Sequence, residues 1–385
     1  MSRVAGDEAW RARERARRRR EVATQGGVAL ILLLLLVLVA HNVGQNLAAR
    51  QIHSGFGFLS DPAGFNLGES VIAFEARDTY LRAFEAGIAN TLRVALAGIV
   101  AASIVGAVVG MMRLAHHPLL RGLGGAFVEI FRNTPLLIQL LAIYLVVTEL
   151  LPDAGEGLTW PGVALLSKQG LQLAVPAHEH AALAAAAGAA LVGGLAAALA
   201  ARRWLTGGRG LVGLAGGLAC AVLGWLASGV AGGWSRPTVD GFLVEGGAAL
   251  TPEFLALWLG LTLFTGAAIA ELVRAGALAV PRAQWDAALA LGLTRGQAMA
   301  AVIFPQALRL AIPPLASQYM NLVKNSSLAV MIGYPDLVSI GNTSINQNGQ
   351  ALEVILIVMA AYLATNLVLA LAMGFVNARV TRAPR

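Results

Sequence analysis

Long apolar segments constrain this chain more than any other feature of its sequence. About eight of them approach the roughly 20 residues that a helix needs to cross the hydrocarbon of a bilayer. Apolar residues make up 57% of the 385 residues and charged residues only 13%, whereas soluble domains average about 25% charged residues. Because backbone polar groups must be paired inside a bilayer, such segments cross it as helices. The sequence therefore predicts an all-α membrane protein with about eight transmembrane helices.

The apolar segments divide the chain into consecutive regions. We expect a basic cytoplasmic arm over residues 1–25, a first transmembrane helix over 26–43, an extracytoplasmic elbow over 44–85, core spans two and three over 86–150, an insertion with two extra spans and periplasmic loops over 151–250, and core spans six to eight over 251–385. A cleaved signal peptide is the alternative for the first apolar segment, since a basic region precedes a short apolar one.

Basic residues predict the orientation of these spans. With both termini in the cytoplasm, 21 of the 28 Lys and Arg residues fall on cytoplasmic segments. The other 7 are Arg50, Arg77, Arg82, Arg93, Lys168, Arg236 and Lys324. Since short cytoplasmic loops are enriched in Lys and Arg, the distribution predicts cytoplasmic termini and a cytoplasmic loop over residues 280–309. The same topology accounts for the net charge of +7 without nucleic-acid binding.

The loop over residues 280–309, called the two-helix loop below, has the sequence signals of two short helices joined by a turn. Pro281 stands where a first helical residue is favoured, and Gly292 where a left-handed C-terminal residue is favoured. Thr294 and Gln297 have the spacing of a capping box for the second helix, which Pro305 is expected to stop. On these signals alone, a hairpin that merely connects two spans is as good an interpretation as a binding element.

The two-helix loop also resembles a known element. Asp286-Ala287-Ala288, Gly292 and the apolar Val302-Ile303-Phe304 before Pro305 resemble the EAA loop of ABC-importer permeases, with Asp where Glu is usual. That resemblance implies docking in a groove of a separate cytoplasmic ATPase. It assigns ATPase coupling to Asp286, Ala287, Ala288, Gly292 and Pro305.

The sequence gives no sign of catalysis or of nucleotide binding by this chain. A Walker A motif needs Gly-Lys-Ser/Thr, but Lys168 and Lys324 follow Ser167 and Val323. No Ser-His-Asp, His-Glu-x-x-His or paired-carboxylate pattern is present, and the single cysteine, Cys220, offers neither a disulfide nor a Cys-based metal site. We expect no enzyme activity, catalytic residue, metal or cofactor in this chain. ATP and Mg²⁺ would be bound by the partner ATPase.

The seventh apolar segment carries a polar face. Ser317, Asn321, Lys324 and Asn325 recur at helical spacing, with Gln318 beside them. A Lys at the centre of a membrane helix costs about 2.5–3.5 kcal/mol on insertion scales, so this face needs polar partners or water. We predict that it lines a substrate path. The alternative is that these side chains hydrogen-bond to neighbouring helices.

A pair of opposite charges lies near the cytoplasmic end of the sixth apolar segment. Glu271 and Arg274 are three residues apart, which brings them to neighbouring positions on a helix surface. We predict an ion pair at the membrane interface, with a gate as the alternative.

Several further stretches are similar to permeases of polar-amino-acid ABC importers. They are Asn90-Thr91-Leu92, Phe131 to Leu137 with Gln139, Ala270 to Gly276, Pro305 to Arg309, and Asn321 to Ala329. The resemblance covers about residues 86–150 and 251–382, a region that contains spans two, three, six, seven and eight. The first span and the inserted pair are similar to the larger subunits of bacterial general L-amino-acid importers.

The resemblance implies a type I ABC importer core of five helices in the bacterial inner membrane, with polar L-amino acids as substrates. The implied partners are a second permease subunit, a dimer of ATPases, a periplasmic amino-acid-binding protein and membrane lipid. An ion-coupled secondary transporter is one alternative, although more intramembrane acids than Glu271 would then be expected. The other is a structural permease half whose partner holds the substrate site.

Overall fold

The structure, a computed structural model, describes residues 17, 20, 21, 23–35, 37–39, 41, 42, 44, 45, 55–201, 209–240 and 243–381. Much of the predicted basic arm and the start of the predicted elbow therefore lie outside the described residues. Where the first apolar segment is described it is helical, and Ala23–Val39 is an apolar helix.

Eleven further helices make up most of the described chain. They are α1 Tyr80–Leu114, α2 Pro118–Asn133, α3 Leu136–Leu145, α4 Glu179–Ala201, α5 Arg209–Gly232, α6 Pro252–Leu278, α7 Arg282–Ala290, α8 Arg295–Ala298, α9 Phe304–Asn325, α10 Leu337–Asn348 and α11 Ala351–Thr381. Single π-helical turns follow α3 at Val146–Leu150 and α8 at Met299–Ile303, and a 3-10 helix at Ser326–Ile332 follows α9.

Length and composition divide these helices into two groups. Among the described residues, four helical runs are long and apolar enough to cross a membrane, namely Tyr80–Leu114, Pro252–Leu278, Arg295–Ile332 and Ala351–Val380. The pair Pro118–Asn133 and Leu136–Leu150, bent by 102°, becomes the fifth if it is one span. These are the five predicted core spans. The three extra spans correspond to shorter apolar helices, Ala23–Val39, Ala181–Ala197 and Gly216–Gly232.

Helices α1 and α6 pack closely because glycine lines their contact. A Cβ added to Gly110 of α1 would lie 2.7 Å from the Cβ of Val273, and one added to Gly266 of α6 would lie 3.0 Å from Val105. Small residues of this kind allow membrane helices to approach each other. The largest buried cluster extends this contact with Leu140 of α3 and Leu322 of α9, so the core spans share one interior.

The insertion contains short β-strands that the sequence analysis did not predict. They are β1 Leu158–Trp160, β2 Ala164–Ser167, β3 Gly170–Leu173, β4 Val175–Pro176, β5 Trp234–Ser235, β6 Thr238–Asp240, β7 Leu243–Glu245 and β8 Ala248–Leu250. Antiparallel pairing gives the order β1-β2-β3-β8, with separate β4-β5 and β6-β7 ribbons. Strands of two to four residues are too short to show a clear alternating pattern. Since β8 directly precedes α6, this sheet ties the insertion to the core.

The two inserted helices, α4 and α5, pack mainly against each other. Gly217 of α5 approaches the backbone of Ala190, and Gly224 that of Ala185, so that an added Cβ would lie 3.0 and 2.9 Å from the two carbonyl oxygens. Leu191 and Val192 of α4 and Val230 of α5 remain exposed. The pair therefore forms a tight hairpin with apolar outer surfaces.

Candidate functional site

The two-helix loop forms as the capping signals predict. Helix α7 ends before Gly292, whose φ of 82° lies in the left-handed region where a side chain is disfavoured. Helix α8 begins with a complete capping box, in which Thr294 and Gln297 each bind the other's backbone N–H. The turn between the helices is thus fixed by local chemistry.

Pro305 does not stop the second helix, so this prediction is wrong. A π-helical turn at Met299–Ile303 carries the chain from α8 into α9, and Pro305 is the second residue of α9. The π-helical turn changes the backbone hydrogen-bond pattern directly before Pro305, and such a turn is a place where a helix can accommodate a proline without ending. The result is one helical run from Arg295 to Ile332 that joins the loop directly to the seventh span.

The predicted docking residues differ in exposure. Asp286, Ala287, Gly292 and Pro305 are exposed, whereas Ala288 is only 2% exposed. Neighbouring helix positions point in different directions, so Ala288 faces the body of the protein while Ala287 faces away from it. A partner protein could contact the exposed residues, but Ala288 serves to pack the loop.

An apolar cluster fastens the two-helix loop to the spans. Ala277 and Val280 at the end of α6 pack with Ile303 and Ala307, and Trp285 of α7 covers them. Gly276 lets α9 approach, since an added Cβ there would lie 2.9 Å from the carbonyl oxygen of Ala307. Movement of the loop would therefore be transmitted to α6 and α9.

A partly buried ion triad lies near the same end of the spans. The carboxylate of Glu271 accepts a hydrogen bond from Nη2 of Arg274 at 2.6 Å, so these two residues form an ion pair. Glu271 also pairs with Arg113 at the end of α1. The Arg113 partner was missed because nothing in the sequence places the end of the second span beside α6. The triad links α1 to α6.

The polar face of α9 points out of the protein. Ser317, Asn321 and Lys324 are exposed, and Gln318 and Asn325 are half-buried. On the opposite side of the same helix, Leu322 and Val323 are buried. Within the described part of the chain, the five polar side chains form no hydrogen bond or ion pair. The structure therefore does not support the alternative in which these side chains hydrogen-bond to neighbouring helices of the same chain.

A second polar group lies at the opposite end of the spans from the two-helix loop. The Asn90 cluster consists of Glu69, Asn90, Arg93, Thr251, Tyr334, Asp336 and Tyr362. The side-chain amide of Asn90 donates to the carbonyls of Glu69 at 3.0 Å and Pro335 at 2.9 Å. Its oxygen accepts from the N–H of Val71 at 3.0 Å. Asn90 is fully buried and fully bonded, and it ties the elbow to the chain after α9.

Charged members of the Asn90 cluster are also paired. Arg93 forms an ion pair with Glu69 and lies 4.3 Å over the ring of Phe254. Glu69 also accepts a hydrogen bond from Thr251, the N-cap of α6. These contacts hold the starts of α1 and α6 together.

Asp336 is the most buried acid of the cluster. It is 0% exposed, accepts the N–H of Ser339 at 2.8 Å as the N-cap of α10, and receives the hydroxyl of Tyr362 at 3.2 Å. Burial raises the pKa of its carboxyl from 3.8 to about 7, and the hydrogen bonds that it accepts oppose that shift. The sequence analysis missed this residue, although a polar residue before an apolar helix start is a usable capping signal.

Gln139 fixes the bend between α2 and α3. Its amide donates to the carbonyls of Phe131 and Thr134, both at 2.8 Å, and it is buried. Those two carbonyls are at the end of α2 and just beyond it. Gln139 therefore stabilises the sharp turn of this span.

The sequence is similar to those of known transport proteins. Residues 242–382 match the family model described as binding-protein-dependent transport system inner membrane component. The chain is 39% identical to the general L-amino acid transport system permease protein AapQ of Rhizobium johnstonii, over 90% of this chain and 88% of that protein. It is 33% identical to the glutamate/glutamine/aspartate/asparagine transport system permease protein BztB of Rhodobacter capsulatus, over 93% of each.

A solved structure is also similar. The chain aligns with a structure described as the crystal structure of an amino acid ABC transporter with histidines, at a TM-score of 0.48 and 19% identity, covering 78% of this chain and 95% of that one.

Proposed function

Since the chain belongs to the family of binding-protein-dependent inner membrane permeases and is a permease subunit of an amino-acid ABC importer, we propose that the α9 polar face lines its substrate path and that the two-helix loop docks its ATPase. The relatives named above transport general L-amino acids or acidic amino acids and their amides. Polar L-amino acids are therefore the proposed substrates.

One observation supports the assignment of the α9 polar face to the substrate path. Three exposed polar side chains of α9, including the ammonium group of Lys324, find no partner within the described chain. Lipid would make such a surface costly, whereas a water-filled path would hydrate it. An amino-acid zwitterion also has a carboxylate for Lys324 and hydrogen-bonding groups for Asn321. We assign Lys324 and Asn321 to substrate contact and Ser317, Gln318 and Asn325 to its support.

The two-helix loop has the features of a coupling element. Asp286 and Ala287 present a small, acidic surface to a partner, and the left-handed Gly292 sets the angle between α7 and α8. The cluster around Trp285 packs this loop against the spans, and the Arg113–Glu271–Arg274 triad joins α1 to α6 near the same end. ATP and Mg²⁺ would be bound by the partner ATPase, whose closure would move α6 and α9 through the loop.

The assembly and location follow from the same assignment. The chain is a multi-pass membrane protein, and its family works with an ATPase, a substrate-binding protein and a second permease. We propose a bacterial inner-membrane complex in which both termini and the two-helix loop are cytoplasmic and an amino-acid-binding protein meets the other face. Ion-coupled transport is disfavoured because Glu271 is held by two arginines.

The coupling proposal is tested by co-purification of the ATPase. Ala287→Arg adds bulk and a positive charge to the exposed side of α7, and it should abolish recovery of the ATPase while leaving the permease in the membrane. Gly122→Arg is the matched control, since an added Cβ at Gly122 has nothing within 4 Å. Normal ATPase recovery with Ala287→Arg would overturn the docking assignment.

The path proposal is tested by uptake into liposomes that contain the whole complex. Lys324→Gln should change which amino acids compete for uptake, with normal assembly. Lys168→Gln removes the same charge from a residue paired with Asp153 in the insertion, and it should leave selectivity unchanged. If both variants keep the parental selectivity, the substrate site belongs to the partner permease and this chain transmits motion.

A further inference from the structure

A cavity of about 510 Å³ separates the two-helix loop from the ends of the spans. This loop cavity is lined mainly by apolar side chains, among them Met111 and Leu114 of α1, Val273 of α6, Trp285 of α7, and Phe304 and Leu308 of α9. Its size falls within the roughly 300–1,000 Å³ that is typical of small-molecule sites. Two methionines, Met111 and Met299, give the walls adaptable surfaces.

The charge at the mouth of the loop cavity is positive. Arg295 donates from Nη1 to Nε2 of His116 at 2.8 Å, both residues line the cavity, and both are exposed. No Asp or Glu lines the cavity, and Arg295 forms no ion pair within the described chain. An apolar pocket with a cationic rim is complementary to an amphiphile that has an anionic head.

We propose that the loop cavity binds one anionic phospholipid of the cytoplasmic leaflet, with an acyl chain between α1, α6 and α9 and the phosphate at Arg295 and His116. The inference rests on the proposed function for its orientation, which puts this end of the spans at the level of the cytoplasmic headgroups. That leaflet supplies anionic lipids. Arg binds phosphate oxygens through two parallel donors. Phosphatidylcholine also has a phosphate, but its trimethylammonium group adds a positive charge near Arg295, whereas the headgroup of an anionic phospholipid keeps a net negative charge.

The charge of the rim argues against one other occupant, and the apolar walls argue against a second. The N-terminal arm carries the basic run Arg17 to Arg20, so Arg295 would repel it. Inorganic phosphate matches the rim but leaves the apolar walls unfilled. A phospholipid satisfies both parts of the site, because its chain buries apolar surface while its head stays in water.

Such a lipid would affect the coupling between the ATPase and the spans. The cavity walls include Met299 and Ala300 of the π-helical turn between α8 and α9, and π turns are frequent at functional sites. A bound chain would fill the space beneath the loop and hold it against the spans. ATP hydrolysis by the complex should therefore respond to anionic lipid when the site is intact.

The test uses the whole complex, purified and placed in nanodiscs of phosphatidylcholine with or without phosphatidylglycerol. The rim variant combines Arg295→Gln with His116→Gln, and the filling variant Ala300→Phe occupies the cavity without changing charge. Arg121→Gln is the control, because Arg121 is exposed on α2, lies outside the two-helix loop and does not line the cavity. Native mass spectrometry measures retained lipid, and ATP hydrolysis is measured in both kinds of nanodisc.

The expected result is preferential retention of phosphatidylglycerol by the parent and the control. The rim variant should lose about tenfold in that preference, as expected for removal of charge-assisted bonds. The filling variant should lose retained lipid of both kinds. Stimulation of ATP hydrolysis by phosphatidylglycerol should fall in parallel.

Three outcomes would overturn the inference. The first is equal retention of both lipids by the parent, and the second is unchanged retention by the rim and filling variants. The third is competition by inorganic phosphate that Ala300→Phe does not weaken, which would indicate a simple anion site. Lipid retention is measured without transport, so a negative result there rejects only the lipid site. The proposed function would be rejected by a different result, namely that the ATPase does not co-purify with the parent protein.

Discussion

Asn90 and Asn321 are the same amino acid on two neighbouring long helices, α1 and α9, but their surroundings differ. Asn90 is fully buried, and its amide is bonded to Val71, Glu69 and Pro335. Asn321 is exposed and forms no side-chain bond within the described chain. Burying a polar group without partners costs roughly 2–7 kcal/mol. The chain itself offsets that cost at Asn90, and at Asn321 something outside the chain must do so.

The difference extends to the groups around each residue. In the Asn90 cluster Arg93 meets Glu69 and Tyr362 meets Asp336, so its polar atoms hold α1, α6 and the segment before α10 in one arrangement. In the α9 polar face, Lys324 forms no ion pair with any residue that the structure describes. Satisfied polar groups in a membrane helix bundle thus indicate structure, and unsatisfied ones indicate a ligand, water or a partner chain.

The largest effect on stability is expected when the fully bonded side chain, Asn90, is removed. Asn90→Ala leaves the N–H of Val71 and the carbonyls of Glu69 and Pro335 without their partner. Unsatisfied groups cost about 1–3 kcal/mol each, so we expect a loss of about 3 kcal/mol or more. Thermal unfolding in detergent measures it, with Asn321→Ala as the matched control.

Asn321→Ala should change the unfolding temperature little, because the structure gives that amide no bond to lose. Equal destabilisation by the two variants would show that α9 is bonded within the chain after all, and the comparison would fail.

A smaller effect is expected at the ion triad, which is satisfied but partly exposed. Glu271→Gln leaves Arg113 and Arg274 without their carboxylate, and the three side chains are 15–33% exposed. Breaking a fully buried pair costs about 3–5 kcal/mol, and water at this site should reduce that to about 1–2 kcal/mol. Chemical unfolding measures the loss.

Arg274→Lys is the control for the triad, since it keeps one positive charge near Glu271 and should cost less than Glu271→Gln. If Glu271→Gln were as stable as the parent, the triad would not hold α1 to α6.

The smallest effect is a pH dependence at Asp336. Its pKa is raised from 3.8 to about 7 in the folded protein, so the folded state retains a proton that the unfolded chain releases. The free energy of unfolding should therefore fall as pH rises between these two values and level off above about 7. Because the protein and nearby water can rearrange around the charged carboxylate, we expect the free energy of unfolding to fall by only about 1 kcal/mol from about pH 5 to about pH 7.

Asp336→Asn isolates this contribution. Its amide can still accept the N–H of Ser339 but has no proton to release, so the fall over that interval should shrink. An unchanged pH profile in Asp336→Asn would assign the dependence to other groups.

Much of the fold could be predicted from the sequence because its signals are local. Apolar length gave the five core spans, and Thr294 with Gln297 gave the start of α8. Pro305 misled the prediction because the π-helical turn directly before it, which lets the helix continue through the proline, has no sequence signature. The strands of the insertion were missed because they are too short for periodicity.

The candidate site was predictable only in part. The α9 polar face follows from helical spacing, so its five residues could be named in advance. The Asn90 cluster joins residues as far apart as Asn90 and Pro335, and Arg113 meets Glu271 across two helices. Such long-range pairs depend on tertiary packing, which one sequence does not reveal. The burial of Ala288 also depends on how α7 rests on the spans.

The most direct test measures whether Asn321 meets solute. Cysteine replaces Asn321 in one variant and the buried Thr91 in another, both in a Cys220→Ser background and in the full reconstituted complex. Reaction with a water-soluble thiol reagent is followed with and without transported amino acid. We predict that Asn321→Cys reacts, that substrate slows the reaction, and that Thr91→Cys stays unreactive. An inert Asn321→Cys, or one whose reaction no amino acid changes, would contradict the assignment of α9 to the path.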